Sequence, residues 1–250
     1  MPETVDLSLI LACYNEETFL ESAVQEIVAC LHSTRLTWEI IFVDDESRDN
    51  TRAVIDRIVA VSPQLPFRRL FHQRNTGRGG AVADGFRAAV GEIAGYIDVD
   101  LEVGPWYIPA CCCAIRNGSD VVVGNRTYRV TPRGVWRYVI SQGYRTLVRA
   151  VLPGAILSDT ESGYKFFRRA ILFPLLDEVQ DQGWFWDTEI MVRAWSKQLR
   201  IAEVQCLYTR NFQKASTVRS VKDSLTYLRR LWRFRRNTWP GLLVERSRKR

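Results

Sequence analysis

The 250-residue chain lacks any long apolar segment. Its longest uncharged run, Val103 to Ile115, falls short of the roughly 20 apolar residues that a membrane-spanning helix needs, and it contains Pro105 and Pro109. Integral insertion in a bilayer is therefore not expected. Paired cysteines are also missing. Cys13, Cys30, Cys111, Cys112, Cys113 and Cys206 show no C-x-x-C spacing and no signal peptide precedes them, which predicts reduced thiols in a cytoplasmic protein. In the Cys111 to Cys113 run, consecutive side chains of a helix would point in different directions, as suits small packed thiols better than a soft-metal site. Histidine is scarce, and His32 and His72 stand alone, with no predicted chemistry. Neither G-x-G-x-x-G nor G-x-x-x-x-G-K-[ST] occurs, so the dinucleotide fingerprint and the P-loop are both excluded. There is no internal repeat and no low-complexity linker.

What the chain does have is enough apolar material for a sizeable core: 46% hydrophobic and 25% charged residues exclude wholesale disorder and a collagen-like repeat. The net charge of +7 is unevenly placed. From Arg219 to Arg250 eleven Lys/Arg face two Asp/Glu, a balance of +9 that leaves the preceding 218 residues at −2. This break predicts a slightly acidic body over 1–218 and a basic tail over 219–250.

Short continuous apolar runs alternate with helical periodicity. Leu7 to Cys13 reads as a buried parallel strand, followed by a polar loop and a helix carrying Leu20, Val24, Ile27, Val28 and Leu31. Strands are predicted again at Trp38 to Val43, Phe67 to His72, Gly95 to Val99, Asp120 to Val123 and Ile201 to Tyr208, and helices at Thr51 to Val61, Ala81 to Val90 and Asp187 to Gln198. The pattern loosens over the Arg-rich, aromatic stretch from Arg126 to Arg149. Alternating elements predict an α/β fold with a mostly parallel sheet and helices on both faces, whose ligands bind beyond the carboxyl ends of the strands.

Polar clusters fall at those ends: Asn15-Glu16, Asp44-Asp45 and Asp98-Val99-Asp100. In an extended segment Asp98, Asp100 and Glu102 would share one face, and a hard cation such as Mg2+ takes one or two carboxylates together with phosphate oxygens. A solvated acidic turn is the bland alternative. Asn75 to Ala81 places glycines and Arg78 just before a helix, where backbone N–H groups approach phosphates closely, although a plain helix-entry loop has the same composition. Asp44 and Asp45 suit a base and a ribose, and Asp49 suits the cap of the helix starting near Thr51.

In order, Cys13-Tyr14-Asn15-Glu16-Glu17, Val43-Asp44-Asp45-Glu46-Ser47, Asn75 through Ala81, Asp98-Val99-Asp100 and Gly124-Asn125-Arg126 resemble the successive signatures of inverting family-two glycosyltransferases. Ser158 through Arg168 and Trp186-Asp187-Thr188-Glu189 are similar to the dolichyl-phosphate mannose and dolichyl-phosphate glucose synthases. The resemblance covers residues 6 to 215. Two departures are visible: the proline usual before Tyr-Asn-Glu is replaced by Ala12, and the usual glycine of Asp-Asp-Gly-Ser by Glu46.

The resemblance implies a glycosyltransferase-A, Rossmann-like single domain. It implies a nucleotide-sugar donor, GDP-mannose or UDP-glucose, with Mg2+ or Mn2+ and a polyprenyl-phosphate acceptor. Tyr14, Glu16 and Asp44 or Asp45 would face the nucleoside, in a donor pocket that also takes in Ala12, Val43, Gly77, Arg78 and Val99. Asp98, Asp100 and Glu102 would face metal and diphosphate, and Arg210 and Lys214, with Ser216, would belong to a basic loop over the diphosphate. A phosphate acceptor is already an anion, so what it needs is cations that hold it in line with the sugar C1 rather than a protein base. Arg126 fits that role, with Arg133, Arg137 and Arg145 in support. Asp159 and Asp187, with Glu189, would position sugar hydroxyls or, for a hydroxyl acceptor, supply the base. Lys165 would pair with one of the three.

From Val221 to Arg236 the tail reads as an amphipathic helix, with Val221, Leu225, Leu228, Leu231 and Trp232 on one face and Lys222, Arg229, Arg233 and Arg236 on another. It would lie on an anionic membrane over 221–250, with Trp232, Phe234 and Trp239 at the headgroups, or pack on the catalytic body. The first placement makes the protein peripheral on the cytoplasmic face of a membrane, with room for a membrane-spanning partner protein. Two rival functions remain: a same-fold transferase acting on a soluble hydroxyl acceptor such as a natural product or glycan, and a nucleic-acid-binding module using the tail. The second leaves the acidic cleft idle, and no motif that reads nucleic acid is present, so no nucleic-acid partner is expected.

Overall fold

A computed structural model of the chain describes residues 4–128, 135–153, 158–209 and 220–248, with only the helical backbone described at 135–141 and 220–223. Among the described residues seven strands make one sheet: β1 (Leu7–Cys13), β2 (Trp38–Asp44), β3 (Phe67–Phe71), β4 (Ile93–Ile97), β5 (Val121–Tyr128), β6 (Tyr164–Arg168) and β7 (Ile201–Tyr208). Their order is β3-β2-β1-β4-β6-β5-β7. The pairs β3·β2, β2·β1, β1·β4 and β5·β7 are parallel, whereas β6 runs antiparallel between β4 and β5. The sheet is thus mixed and mostly parallel. β2 and β4 are buried along their whole length, as continuous apolar runs in a sheet covered on both faces should be.

The helices are α1 (Leu20–His32), α2 (Thr51–Val61), α3 (Arg78–Ala88), α4 (Ile108–Arg116), α5 (Val135–Val151), α6 (Arg169–Glu178), α7 (Trp186–Ser196), α8 (Ser220–Asn237) and α9 (Trp239–Arg248). Alternate residues of each strand feed two cores. Leu7, Leu9 and Leu11 pack with Val24 and Ile27 of α1, Ile55 of α2 and Cys111 of α4. Ile10, Ile41 and Val43 pack on the other face with Val82 and Phe86 of α3, Leu172 of α6 and Ile190 of α7.

The second core also contains Tyr227, Leu231 and Phe234 of α8 and Trp239 and Leu242 of α9. α8 and α9 thus pack on the body, the second of the two placements expected for the tail, and Phe234 and Trp239, which the first would put at the headgroups, are core residues. Of the expected apolar face, Leu231 is buried while Leu225 and Trp232 stand exposed. Burial selects the stripe 227, 231, 234, one helical step from the stripe that hydrophobicity alone suggests. No helix among the described residues is long and apolar enough to cross a membrane.

Two further differences matter for the site. β4 ends at Ile97, so Asp98-Val99-Asp100 lies on a turn rather than on an extended strand, with Leu101 at φ 49° and its N–H bonded to the Asp98 carbonyl at 3.2 Å. The loose stretch after Arg126 holds α5, which brings Arg145 back to the end of β5.

Candidate active site

The loops after β1 and β2 form the first wall. Asn15 adopts φ 58°, its N–H donates to Ser47 Oγ at 3.0 Å, and its Oδ1 accepts the Arg48 N–H at 2.8 Å. The Glu16 N–H donates to Thr51 Oγ1 at 2.8 Å, which joins the loop to the start of α2. Asp49 Oδ1 accepts the Thr51 N–H at 3.0 Å, but the N-cap position of α2 is Asn50 and carries no side-chain cap, so Asp49 bonds one residue ahead of the expected cap. Ala12 and Tyr14 are half-buried along the same loop, and Glu16 is buried.

Asp44 and Asp45 have different tasks. Asp45 is consumed by the glycine loop: Oδ1 accepts the Thr76 N–H (2.7 Å) and hydroxyl (2.9 Å) and lies 2.9 Å from His72 Nδ1, while Oδ2 accepts the Gly77 N–H at 2.8 Å. Gly77 itself sits at φ 86°, and a Cβ there would lie 2.6 Å from the Gln182 carbonyl oxygen. Asp44 Oδ2 accepts Arg52 Nε at 2.6 Å and the Ser47 N–H at 3.2 Å, but its Oδ1 is buried with no partner. An orphaned buried acceptor costs about 1–3 kcal/mol, which an incoming donor group would recover. Asp44 is thus the member of the pair equipped for a ligand. Val43 and Val99 turn their side chains into the two cores.

The second wall is acidic. Asp98, Asp100, Glu102, Val103, Arg126, Gly163, Tyr164 and Tyr208 line an open cleft. Asp98 Oδ1 accepts Arg78 Nη2 at 2.5 Å, and a Cβ at Gly163 would collide with Asp98 Oδ2 and Arg78 Nη2. The Asp100 carboxylate accepts the Glu102 N–H at 3.3 Å, and the Tyr208 hydroxyl donates to Glu102. Among the described residues no three His, Cys, Asp or Glu side chains form a closed metal cage. The set nonetheless fits Mg2+ or Mn2+, because these hard cations take one or two carboxylates and complete their shell with phosphate oxygens and water.

Beneath the cleft lies a buried charge network. Asp187 accepts from Arg78, the Tyr96 hydroxyl and Lys165 Nζ, the last at 2.7 Å. Burial pushes the Lys165 ammonium below its ordinary value, and Asp187 only partly restores it. Asp159 is gripped by Arg126 (Nε at 2.7 Å, Nη2 at 2.9 Å) and by Arg145 Nη2 at 2.6 Å. Burial alone would raise the Asp159 carboxyl, but Arg126 and then Arg145 outweigh it and hold it below the usual carboxylate range. Both aspartates expected to act directly are therefore occupied by cations. Glu189 accepts the Gln180 and Asp181 N–H groups and both Arg193 Nε and Nη2, which fixes the loop against which Gly77 packs. Arg133, Arg210, Lys214 and Ser216 lie outside the described residues, as does the side chain of Arg137.

Three residues enter the site without having been singled out. Gly163 lets the Asp98 carboxylate approach the backbone, Tyr208 closes the cleft from the end of β7, and Glu161 hydrogen-bonds Tyr227 of α8. Burial raises the Glu161 carboxyl above its ordinary value even though Arg126 opposes it. Its place in the Asp159 to Gly163 run was the available signal.

Comparison with known proteins agrees with this geometry. The chain is 35% identical over 205 residues to glycosyltransferase AglD of Haloferax volcanii, covering 80% of this chain and 32% of that protein. It is 28% identical to the dolichyl-phosphate beta-glucosyltransferase of Saccharomyces cerevisiae over 225 residues, and 28% identical to the dolichol-phosphate mannosyltransferase of Pyrococcus furiosus over 239 residues. These matches cover 81% and 94% of this chain but only 66% and 64% of those proteins. Glucosyl-3-phosphoglycerate synthase of Mycobacterium tuberculosis, solved with Mn2+, UDP and phosphoglyceric acid, superposes with a TM-score of 0.66 at 21% identity, covering 97% of this chain and 78% of that one. The fold is therefore of the glycosyltransferase-A type. Residues 8–173 match Glycosyl transferase family 2, and the chain belongs to that family.

Proposed function

We propose that the protein transfers a hexose from a nucleotide-diphosphate sugar, GDP-mannose or UDP-glucose, to a polyprenyl or dolichyl phosphate with inversion. The observation that carries this reading is the cleft in which Asp98, Asp100 and Glu102 face Arg126. A phosphate oxygen of the acceptor attacks the sugar C1, the C1–O bond forms on the face opposite the departing nucleoside diphosphate, and the electron pair of the broken bond leaves with that diphosphate. Asp98 and Asp100, with Glu102, would hold a Mg2+ or Mn2+ ion, which would supply charge neutralisation for the leaving diphosphate. Arg126 orients the acceptor phosphate, and Asp44 Oδ1 accepts from the nucleoside. An anionic nucleophile needs no proton removed, and the ion pairing of both Asp159 and Asp187 supports a site without a dedicated base.

We place the same chain at an anionic membrane surface. Once α8 has buried Tyr227, Leu231 and Phe234, Leu225 and Trp232 remain exposed beside Arg229, Arg233 and Arg236, with Leu243 and Val244 exposed on α9. That combination suits the headgroup region. In this reading the polyprenyl chain stays in the bilayer or in a membrane-spanning partner, and only its phosphate enters the cleft. The test is a donor screen with Mg2+ or Mn2+ against a polyprenyl phosphate, with the lipid product weighed by mass spectrometry. A glycosyl-phosphoryl-polyprenol with one donor supports the proposal, and turnover confined to hydroxyl acceptors overturns it.

A further inference from the structure

Arg78 opens α3 at the cleft, and its guanidinium is shared between two carboxylates from opposite sides of the site. Nη2 contacts Asp98 Oδ1 at 2.5 Å, and Nη1 contacts Asp187. The side chain is largely buried, with its guanidinium 5.4 Å from each of the Tyr96 and Trp184 ring centroids. Asp187 is already neutralised from its other oxygen by Lys165 at 2.7 Å. Asp98 is different: it is half-exposed, and the one cation placed on it among the described residues is Arg78. Its second oxygen is packed against Gly163, where no Cβ fits. The carboxylate that begins the Asp-x-Asp pair is thus held by a protein cation at the mouth of the cleft.

We infer that Arg78 is a stand-in cation for Asp98, which keeps the carboxylate from binding a divalent ion until a nucleoside diphosphate draws the guanidinium away. The inference rests on the donor half of the proposed function. A guanidinium beside Asp98 repels an incoming divalent cation and competes for the same oxygen. A diphosphate offers the fork of Arg78 a bidentate anionic partner, and its own oxygens complete the shell of the cation. Exchange of partners therefore couples the two ligands: each tightens the other by the same factor, as linkage requires. Although the Arg78 fork also holds Asp187, the exchange does not strand that carboxylate, which keeps Lys165 and the Tyr96 hydroxyl.

The test measures binding alone. Mn2+ is titrated into the full chain by electron paramagnetic resonance, without nucleotide and with saturating UDP or GDP, and no sugar or acceptor is present. The wild type is expected to bind Mn2+ about tenfold tighter or more when the nucleotide is bound. In Arg78→Met, Mn2+ alone binds tighter than in the wild type, by about threefold or more, and the nucleotide effect shrinks by the same factor to the part that the diphosphate oxygens supply as ligands. Arg78→Lys serves where Arg78→Met does not fold, since one ammonium cannot bridge Asp98 and Asp187 as a fork does, and it shifts both numbers in the same direction. Circular dichroism checks the fold of each variant. Mn2+ affinity that is unchanged or weaker in a folded variant overturns the inference. So does wild-type Mn2+ binding that is indifferent to a bound nucleotide. Failure of UDP and GDP to bind at all instead overturns the donor assignment on which the inference rests.

Discussion

Replacing Asp159 by Asn isolates the electrostatics beneath the cleft. The Asp159 side chain has no exposed surface, and Arg126 and Arg145, at 17% and 11% exposure, converge on it. Asn keeps the shape and one acceptor oxygen but removes the charge, so two guanidiniums would face each other across a neutral amide. Breaking a buried pair by neutralising one partner costs about 3–5 kcal/mol. Urea unfolding followed by tryptophan fluorescence should show a loss of that size with an unchanged m-value. The double variant Asp159→Asn, Arg126→Met should be more stable than the two separate losses predict, by about 1 kcal/mol or more, because the second change removes one stranded cation. The pH dependence has a definite sign. Asp159 titrates lower in the folded chain than in the unfolded one, so its contribution is complete above the unfolded value of about 3.9 and disappears as pH falls through the folded value. The gap between wild type and variant should therefore stay constant from neutral pH down to about 5 and close below about 4. A loss under about 1 kcal/mol, with m unchanged, would refute the assignment of Asp159 as the buried counter-ion of Arg126.

Two other outcomes can be checked in the same preparations. Glu46 occupies φ 62°, where a side chain costs about 1 kcal/mol, yet its carboxylate accepts the Asn75 N–H at 2.9 Å. Glu46→Gly removes that strain but also the hydrogen bond, and it loosens the unfolded chain. The two midpoints should therefore lie within about 1 kcal/mol of each other, and a larger gain in stability would show that the hydrogen bond contributes nothing. For the thiols, burial pushes Cys112 and Cys206 up to about 12 and Cys111 higher still, whereas Cys113 is exposed. At pH 8 a thiol reagent should mark Cys113 in the native protein and reach Cys111, Cys112 and Cys206 only after unfolding, as peptide mass mapping can tell. Native labelling of Cys111 would contradict the packing of α4.

The parts of the fold that could be read from residue order were those in which a local pattern has one physical solution. Leu7 to Cys13 and Ile201 to Tyr208 are strands with the expected bounds, and Thr51 to Val61 is a helix with the expected bounds. The direction of β6 was not readable, because a short apolar strand pairs either way and its neighbours β4 and β5 are set by distant chain. The tail illustrates the same boundary. Periodicity marked α8 as amphipathic, but which residues are buried depends on Phe185 of the α6–α7 loop, whose ring centroid lies 5.5 Å from that of Tyr227 and 5.4 Å from that of Phe234. The carboxylates follow this logic most closely. Asp44, Asp45, Asp98, Asp100, Asp159 and Asp187 were legible as a set, since loops at strand ends of such a sheet converge. Which of them keeps an oxygen for a ligand was not, because that is decided by partners such as Arg78, which stands 109 positions before Asp187. Neighbouring aspartates separate only when their partners are known: Thr76 and Gly77 saturate Asp45, and the orphaned Oδ1 is left on Asp44. A site of this kind is legible as a composition of charges, and its division of labour emerges only from the pairing that the fold imposes.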